Sequence, residues 1–272
     1  MAVERINSAA DPRIAAYRDV RDGELVRSRG LFVAEGRFVV RRVIEDRRYR
    51  VESVLLNGAA LKDLASTVAT LARDVQVLVC DADTLAEITG YDVHRGCLAL
   101  VHRPPATRAD EVFESARTIL ILEGVSNADN VGGVFRNAAA FGAGGVLLSP
   151  TGCDPLYRKA IRTSMGASLS VPFARAGDGD WPGVLTRVRA AGFTIVALTL
   201  GDPAETLDAF AAGPRASRVA LMVGTEGAGL TPAVEAEADS RVRIPINEDV
   251  DSLNVAVAVG IALYRLRRTG TV

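Results

Sequence analysis

The chain has 272 residues, of which 49% are hydrophobic, and its 32 basic and 33 acidic side chains leave a formal net charge of −1 at pH 7. This length allows two domains or one large domain, and the apolar content is sufficient to fill a core. A net charge near zero excludes the global electrostatic signature of a nucleic-acid-binding protein, so any RNA-binding surface has to be local.

The N-terminal residues are charged and polar where a signal peptide needs an apolar centre, and no apolar run approaches membrane-spanning length. We therefore expect a cytoplasmic protein without membrane contact. Cys80, Cys97 and Cys153 are too widely spaced for a zinc motif and are expected to be buried apolar side chains. His94 and His102 form no cluster either, so no catalytic metal is expected.

Strands and helices alternate over the first hundred residues, which predicts a layered α/β domain. The predicted strands are 31–34, 51–56, 75–80 and 97–102, and the predicted helices are 12–20, 37–46, 61–72 and 84–88. Pro104 and Pro105 cannot continue a helix or a central strand. We therefore predict a first domain over residues 1–103, a linker over 104–111 and a second domain over 112–272.

Arginine is concentrated at the start of the first predicted domain. Residues 1–50 contain twelve Arg against eight acidic residues, including the pairs Arg41-Arg42 and Arg47-Arg48. Clustered guanidinium groups neutralise phosphates, so this segment is a candidate RNA-binding face.

Apolar strands alternate with helices through the second predicted domain, which indicates a mostly parallel sheet covered on both faces. The predicted strands are 118–122, 145–148, 171–173, 194–198, 219–223 and 241–244, and the predicted helices are 131–141, 157–164, 181–190 and a closing helix from about residue 255. Ligands of such sheets gather at the carboxyl ends of the strands.

Three polar loops follow predicted strands and are expected to converge. The first, residues 123–130, leads into a helix for which Asn130 is the predicted cap. Arg136 is the one charge between Val131 and Gly145, and it is either a solvated helix position or a cation directed at a site. The second loop, residues 224–230, places three glycines around Glu226, which either pairs with a cation or caps a turn.

The third loop, residues 247–254, joins a strand to the closing helix. Ser252 and Asn254 lie near the unpaired N–H groups of its first turn, where a polar ligand can be held; the alternative is simple capping by Asp251 or Ser252. Residues 255–263 carry no charged or strongly polar side chain. A helix that is apolar on every side is buried on every side, which suggests that a second copy of the chain covers it.

The standard fingerprints for dinucleotides, nucleotide phosphates, serine hydrolases and zinc proteases are absent from the sequence. The loops instead resemble the three ordered motifs of the SpoU/TrmH class of SPOUT RNA methyltransferases. These motifs are Asn130-x-Gly132-x-x-x-Arg136-Asn137, Gly224-x-Glu226-x-x-Gly229-Leu230, and Ile244-Pro245-Ile246 with Ser252-Leu253-Asn254-Val255-Ala256.

Two further segments extend this resemblance. Residues 162–167 are similar to another segment of the family, and residues 31–36 resemble the ribosomal-protein-like RNA-binding domain that is often attached to this class. The resemblance implies a C-terminal SPOUT α/β domain with a deep trefoil knot, preceded by a smaller α/β RNA-binding domain.

The resemblance also implies a homodimeric, S-adenosylmethionine-dependent methyltransferase acting on a ribose 2′-hydroxyl of tRNA or rRNA, without a metal. The implied catalytic residues are Arg136, Asn130, Glu226, Ser252 and Asn254. The implied cofactor contacts are Thr199, Leu200, Gly201, Val223, Gly224, Glu226, Gly227, Ile244, Pro245, Ile246, Ser252, Leu253, Asn254 and Ala256.

Arg136 is implied to contact the ribose hydroxyl across the dimer interface. Because a free guanidinium is effectively always protonated, positioning and stabilisation of oxyanion charge suit it better than a literal base role. Two other functions remain open. One is an RNA-binding or assembly protein that keeps the knot without methyl transfer, and the other is a dinucleotide-dependent oxidoreductase, which the missing glycine fingerprint disfavours.

Overall fold

The computed structural model describes residues 3–18, 22–90, 96–201, 203–214, 217–247 and 249–267. His94 and the end of the first predicted helix lie outside these ranges. To residue 113 the elements are β1 Val3–Arg5, a 3-10 helix Pro12–Tyr17, α1 Asp22–Ser28, β2 Leu31–Glu35, α2 Arg37–Glu45, β3 Val51–Asn57, α3 Gly58–Asp63, α4 Ala65–Val68, β4 Gln76–Cys80, α5 Ala82–Thr89, β5 Cys97–His102 and α6 Ala109–Phe113.

The elements that follow residue 113 are more regular in their alternation. They are β6 Thr118–Leu122, α7 Ala128–Phe141, β7 Gly145–Leu148, α8 Arg158–Thr163, a 3-10 helix Ala167–Leu169, β8 Phe173–Arg175, α9 Val184–Ala190, β9 Thr194–Leu198, β10 Glu205–Thr206, α10 Leu207–Ala212, β11 Val219–Val223, α11 Pro232–Glu235, β12 Ser240–Arg243 and α12 Val255–Leu266.

The chain forms two compact units. Unit 1 contains Met1–Pro105 together with Asp154–Leu169, and unit 2 contains Ala106–Cys153 together with Ser170–Val272. The break near residue 105 lies inside the predicted linker, but residues 109–111 of that linker are already helical in α6. The linear division of the sequence was therefore wrong about residues 154–169, which fold with the first unit.

Long-range contacts explain why residues 154–169 belong to unit 1. Arg158 Nε donates to Glu35 Oε2 at 2.8 Å, and the Tyr49 hydroxyl donates to the Leu169 carbonyl at 2.6 Å. Arg103 and Asp154 form a further ion pair at 2.7 Å. No local sequence pattern reports such pairings, because the partners lie far apart in the chain.

Unit 1 is built on a five-stranded sheet with the order β1-β4-β3-β5-β2, in which β5 runs antiparallel to both of its neighbours. The strands β3 and β5 are nearly continuous runs of buried side chains. The structure splits the predicted helix 61–72 into α3 and α4 and makes the first predicted helix a short 3-10 helix. Strand β1 and helix α1 carry no strong pattern in the sequence and were not predicted.

Unit 2 is built on a seven-stranded sheet with the order β10-β12-β9-β11-β6-β7-β8, and every neighbouring pair is parallel. The predicted parallel α/β sheet is thus confirmed. The central strands β6 and β11 are fully or almost fully buried, as continuous apolar strands of a sheet covered on both faces should be. Within the described ranges, no helix is long and apolar enough to cross a membrane.

Candidate functional site

A cavity of about 340 Å³ opens at the carboxyl ends of β9, β11 and β12, which are neighbours in the sheet of unit 2. The residues that follow each strand supply most of its walls: 199–201 after β9, 224–230 after β11, and Ile244, Ile246, Ser252 and Leu253 after β12. The loops after β11 and β12 therefore converge, as predicted. The predicted loop 123–130 does not line the cavity.

Most of the cofactor contacts implied by the sequence lie in the cavity wall. The exceptions are Pro245, Asn254 and Ala256, which do not line the cavity. Sequence reasoning missed Glu235, whose carboxyl side chain reaches the cavity from α11. Nothing in the local sequence around Glu235 distinguishes it from the other glutamates of the chain, and only the fold brings it to the site.

The loop after β11 doubles back on itself. Thr225 and Gly229 exchange two backbone hydrogen bonds of 3.0 Å, and Gly227 and Gly229 have φ values of +85° and +69°. A Cβ at Gly224 would overlap the carbonyl of Gly229 and the nitrogen of Leu230. The glycines are therefore required by this tight loop, which leaves the Glu226 carboxylate exposed at the cavity.

Asn254 joins the three motifs through its side chain. Its Nδ2 donates to Asn130 Oδ1 at 2.8 Å and to Glu226 Oε1 at 3.1 Å. Its Oδ1 accepts from the backbone N–H groups of Ala256 and Val257, at 3.0 and 3.3 Å. Asn254 is thus the N-cap of α12, and the alternative of capping by Asp251 or Ser252 is wrong.

Asn130 also differs from its predicted role. Helix α7 begins three residues earlier than predicted, and its cap is Asn127, which accepts from Asp129 N. Asn130 lies inside the first turn, only 4% exposed, and its Nδ2 has no hydrogen-bond partner among the described residues. A buried amide donor without a partner is costly. The same Asn130 side chain is hydrogen-bonded to Asn254, which in turn is hydrogen-bonded to Glu226.

The first loop contributes a buried carboxylate that sequence reasoning did not single out. Glu123 is 7% exposed and accepts from both the backbone nitrogen and the hydroxyl of Thr231, each at 2.8 Å. Thr231 is the N-cap of α11, but its side chain binds Glu123 and makes no cap hydrogen bond within the helix. Glu123 thus fixes the end of the glycine loop.

Arg136 does not reach the cavity within one chain. It is exposed on α7 and lines a separate groove between α7 and α12. The other residues of this groove are Gly133, Asn137 and Phe141 of α7 and Ala256, Val257, Gly260, Ile261 and Tyr264 of α12. Arg136 forms no hydrogen bond or ion pair with the described residues. Helix α12 presents Val255 and Ala258 to the cavity and Val257 and Ile261 to the groove.

The single chain leaves one side of α12 uncovered, and the expectation that a second copy covers this helix stays a prediction. Val259 and Ala262 are fully buried, but Val257, Ile261 and Tyr264 are 51%, 41% and 53% exposed. These three side chains, with spacings of four and three residues, form one apolar stripe along the helix.

The sequence also leads to expectations about the cysteines and about potential metal ligands. All three cysteines are buried, and burial raises the pKa of the Cys80 thiol to about 11 and that of Cys97 to about 12. Cys80 and Cys97 are therefore protonated and unreactive at neutral pH. The burial of all three side chains agrees with the expectation of buried apolar cysteines. In the described part of the chain, no group of three or more His, Cys, Asp or Glu residues could hold a metal ion.

Comparison with known proteins identifies the family to which this fold and site belong. The pattern of the SpoU rRNA Methylase family matches residues 117–264, which include all three motifs. The chain belongs to this family. Uncharacterized tRNA/rRNA methyltransferases of Mycobacterium bovis and Mycobacterium tuberculosis are 39% identical to it, over 98% of this chain and 93% of theirs.

More distant relatives have more specific names. The 23S rRNA (guanosine(2553)-2′-O)-methyltransferase RlmP of Bacillus subtilis is 25% identical, over 97% of this chain and 100% of its own. Among solved structures, an AdoMet-bound rRNA methyltransferase from Sinorhizobium meliloti is 26% identical and superposes with a TM-score of 0.81, covering 99% of both chains. An RNA 2′-O ribose methyltransferase is 29% identical, with a TM-score of 0.79 over 96% of this chain and 97% of its own.

Proposed function

We propose that the protein transfers a methyl group from S-adenosylmethionine to a ribose 2′-hydroxyl of tRNA or rRNA. The observation that carries the proposal is the cavity at the ends of β9, β11 and β12, together with the Asn254 network at its edge. Family membership supports methyl transfer, the AdoMet-bound relative supports the donor, and the two 2′-O-methyltransferases support the acceptor.

The cavity suits a positively charged ligand with a flat ring. Its described lining contains two carboxylates, Glu226 and Glu235, and no cationic side chain. The backbone of residues 199–201 and 224–227 offers N–H and C=O groups to an adenine edge, and Ile244, Ile246 and Leu253 provide apolar walls. When bound, S-adenosylmethionine supplies a methyl group on a cationic sulfonium. The pyrophosphate of a dinucleotide would meet no compensating charge in this lining, which disfavours the oxidoreductase alternative.

We assign Arg136 to the ribose hydroxyl. The exposed guanidinium has no partner among the described residues of its own chain, and so it is available to donate to an oxygen of the substrate. A fixed donor at this point orients the attacking oxygen and stabilises the negative charge that develops as the proton leaves. Arg136 is then a catalytic residue that acts by positioning and by charge.

We assign to the Asn130, Asn254 and Glu226 side chains the role of shaping the active site. Asn254 holds Glu226 and Asn130 on either side of the start of α12, and the free Nδ2 of Asn130 is an amide donor for a polar atom of a ligand. Ser252 lines the cavity in the turn that leads to Asn254 and is exposed to the same ligand.

The active unit is proposed to be a homodimer. Arg136 lies in the groove between α7 and α12 rather than in the cavity of its own chain, so a second copy is needed to bring an Arg136 to each cofactor. The exposed stripe Val257, Ile261 and Tyr264 borders that groove and supplies an apolar surface for such a contact.

The remaining assignments follow from the family. We infer that the C-terminal segment forms the deep trefoil knot of SPOUT proteins and that the enzyme works in the cytoplasm, where its RNA substrates occur. Residues 1–103 are proposed to select RNA, since the arginine-rich segment lies there and the cavity-lining residues all lie beyond residue 111.

Two measurements on the full chain test the function. Isothermal titration calorimetry should detect binding of S-adenosylmethionine and no binding of NAD. Incubation with tritiated S-adenosylmethionine and total RNA from a strain that lacks the gene should label RNA, and alkaline hydrolysis should leave the labelled nucleotide in a resistant dinucleotide. Label in an alkali-sensitive nucleotide would contradict 2′-O transfer, and binding without labelling would favour the assembly-protein alternative.

A further inference from the structure

Helix α2 exposes an aromatic ring on the surface of unit 1. Val39, Val40 and Val43 face the core and are at most 4% exposed, whereas Phe38 on the opposite side is 48% exposed. Among the described Phe, Tyr and Trp residues of unit 1, Phe38 alone is exposed. A large exposed ring on a helix whose three valines are buried is a candidate binding group.

Arg42 connects Phe38 to the loop that follows α8. Its guanidinium carbon lies 5.1 Å from the centroid of the Phe38 ring, and its NH1 group donates to the Gly166 carbonyl at 3.0 Å. A Cβ at Gly166 would lie 3.3 Å from a methyl group of Val39, so the loop packs closely on α2. Two sequence features that are more than a hundred residues apart, the arginine-rich segment and residues 162–167, therefore form one surface.

Met165 adds a second exposed apolar side chain to this surface. Helix α8 ends in a Schellman motif, in which Gly166 N donates to Ile161 O at 2.9 Å and Met165 N donates to Arg162 O at 3.0 Å. The motif holds Met165 at φ +53°, a conformation that normally selects glycine. Met165 is nevertheless 38% exposed, so its side chain adds contact area where glycine would add none.

Three arginines lie on the two segments that carry these apolar groups. Arg41 and Arg42 line a groove with Phe38, and Arg162 precedes Met165 by three residues; the side chains of Arg41 and Arg162 are 45% and 50% exposed. Arg162 NH1 lies 3.9 Å from Glu35 Oε2. Arg41 lies 3.8 Å from the Asp63 carboxylate, and exposed pairs at such distances contribute about 0–1 kcal/mol. A phosphate can therefore replace that contact at little cost. Of the acidic residues in the same groove, Asp46 is paired with Arg48 at 2.6 Å and Glu45 accepts from Thr67.

We propose that the α2 surface, formed by Phe38, Arg41, Arg42, Arg162 and Met165, binds an unpaired segment of RNA by stacking a base on Phe38 and pairing its phosphates with the arginines. A planar ring and a polarizable thioether accept any base, and guanidinium groups bind phosphates or stack on bases. A duplex offers no free base face, so this surface selects single-stranded over double-stranded RNA. The inference rests on the proposed function in that RNA is the substrate class.

The test is fluorescence anisotropy of the full chain with a labelled, unstructured RNA of about 12 nucleotides, compared with the same RNA in a duplex. We expect Phe38→Ala to weaken binding of the single strand about tenfold and Phe38→Tyr to restore it, because a base–aromatic stack is worth about 1–3 kcal/mol. Arg41→Ala should reduce the slope of log affinity against log salt by about 0.7, which corresponds to one lost phosphate contact.

Matched controls come from the same unit. Val3 is 52% exposed on β1, at the opposite edge of the sheet from β2, and Arg73 is an exposed arginine outside the α2 surface. Val3→Ala and Arg73→Ala should leave the affinity for the single strand unchanged. Equal affinities of Phe38→Ala and the wild type would overturn the proposal. So would absence of binding by the wild type, or equally strong competition by a polyglutamate peptide, which would assign the surface to an acidic protein.

Methyl transfer by the wild type, measured separately on total RNA, distinguishes the two proposals. An active enzyme whose RNA affinity is indifferent to Phe38 overturns the α2 surface alone. An inactive protein that binds single-stranded RNA through Phe38 supports the surface and overturns methyl transfer.

Discussion

Arg136 occupies an unusual position for an arginine on a packed helix. Its neighbours Val134, Phe135 and Ala138 are fully buried, while its own side chain is exposed and unpaired among the described residues. The sequence left open whether Arg136 is a solvated position or a cation directed at a site. Arg136 lines the groove between α7 and α12, and a second chain can cover that groove.

Substitution of Arg136 should separate catalysis from binding. Arg136→Ala is expected to lower methyl transfer by about a hundredfold or more, the scale observed when a transition-state donor is lost. The affinity for S-adenosylmethionine should not change, because Arg136 is not in the cavity wall of its own chain. Single-turnover labelling of RNA and calorimetry measure the two effects, with the exposed Arg108→Ala as control. Comparable rates for Arg136→Ala and the wild type would return Arg136 to a solvated helix position.

Gly224 tests the geometry of the cavity. The side chain of Gly224→Ala would overlap the backbone of Gly229 and Leu230, so the loop has to open. Loss of even one or two of its hydrogen bonds costs about 1–2 kcal/mol, which predicts a reduction in S-adenosylmethionine affinity of about tenfold or more. Calorimetry measures the change, and Gly177→Ala is the control, since a Cβ there has no atom within 4 Å. Unchanged affinity would mean that this loop is not part of the cofactor site.

Helices α7 and α12 approach each other more closely than two helices with a side chain at every contact position could. A Cβ at Gly133 would lie 2.7 Å from the Cβ of Ala256, and one at Gly260 would lie 3.1 Å from the Asn137 amide. The same Asn137 amide donates to the Ala256 carbonyl at 2.6 Å. Glycines in the interior of a helix cost stability, and here the close approach of the two backbones explains them.

The close contact predicts a compensating pair of substitutions. Gly133→Ala should destabilise the fold by about 1–3 kcal/mol through overpacking. Ala256→Gly removes the opposing methyl group, so the double variant should be more stable than the sum of the single changes predicts. Urea denaturation at fixed protein concentration measures all four stabilities. Simple additivity would show that the two residues do not clash in solution.

The apolar stripe of α12 predicts the oligomeric state. Ile261→Asp places a carboxylate in the centre of the exposed stripe and should convert the proposed dimer into a monomer, because burial of an unpaired charge is strongly unfavourable. Sedimentation velocity detects the change, with Val3→Asp in unit 1 as the control, because Val3 is also an exposed aliphatic residue. The monomer should bind S-adenosylmethionine and fail to transfer methyl groups. A wild-type monomer with full activity would contradict a shared site.

Unit 1 is discontinuous in sequence. Residues 154–169 contribute α8 to unit 1, while the chain before and after them belongs to unit 2. The arginine-rich N-terminal segment and the segment of residues 162–167 are therefore parts of one folded body. Removal of the first hundred residues therefore also removes the part of unit 1 on which residues 154–169 pack.

A truncated variant that begins at Thr107 tests this organisation. It retains every cavity-lining residue and should bind S-adenosylmethionine, with reduced RNA affinity. It lacks Glu35, Tyr49 and Arg103, which bind residues 154–169 in the full chain, so that segment should lose its structure. Limited trypsin digestion should cut it at Arg158, Lys159 or Arg162 much faster than in the full chain, whereas Arg187 in α9 serves as an internal control. Equal cleavage rates would show that the segment folds without unit 1.

Local patterns in the sequence are sufficient to locate most strands and the motif loops. Continuous apolar runs such as 118–122 and 219–223 identify buried parallel strands, because burial on both faces leaves no polar alternation. The positions of the two motif loops after β11 and β12 follow from the ends of those strands, and these loops contain most of the cavity wall. The family resemblance then indicated the chemistry.

The contacts between distant groups are visible only in the folded chain. Asn130 binds Asn254, and Arg158 binds Glu35, each across more than a hundred residues, and no periodicity reports such a pair. The same limit explains why Glu235 was missed, since only the fold brings α11 to the cavity. It also explains why the sequence did not show which side of α12 its own chain covers: composition measures how apolar a helix is, while packing decides which face is covered. Local patterns fix secondary structure and burial tendency, and long-range contacts fix the site.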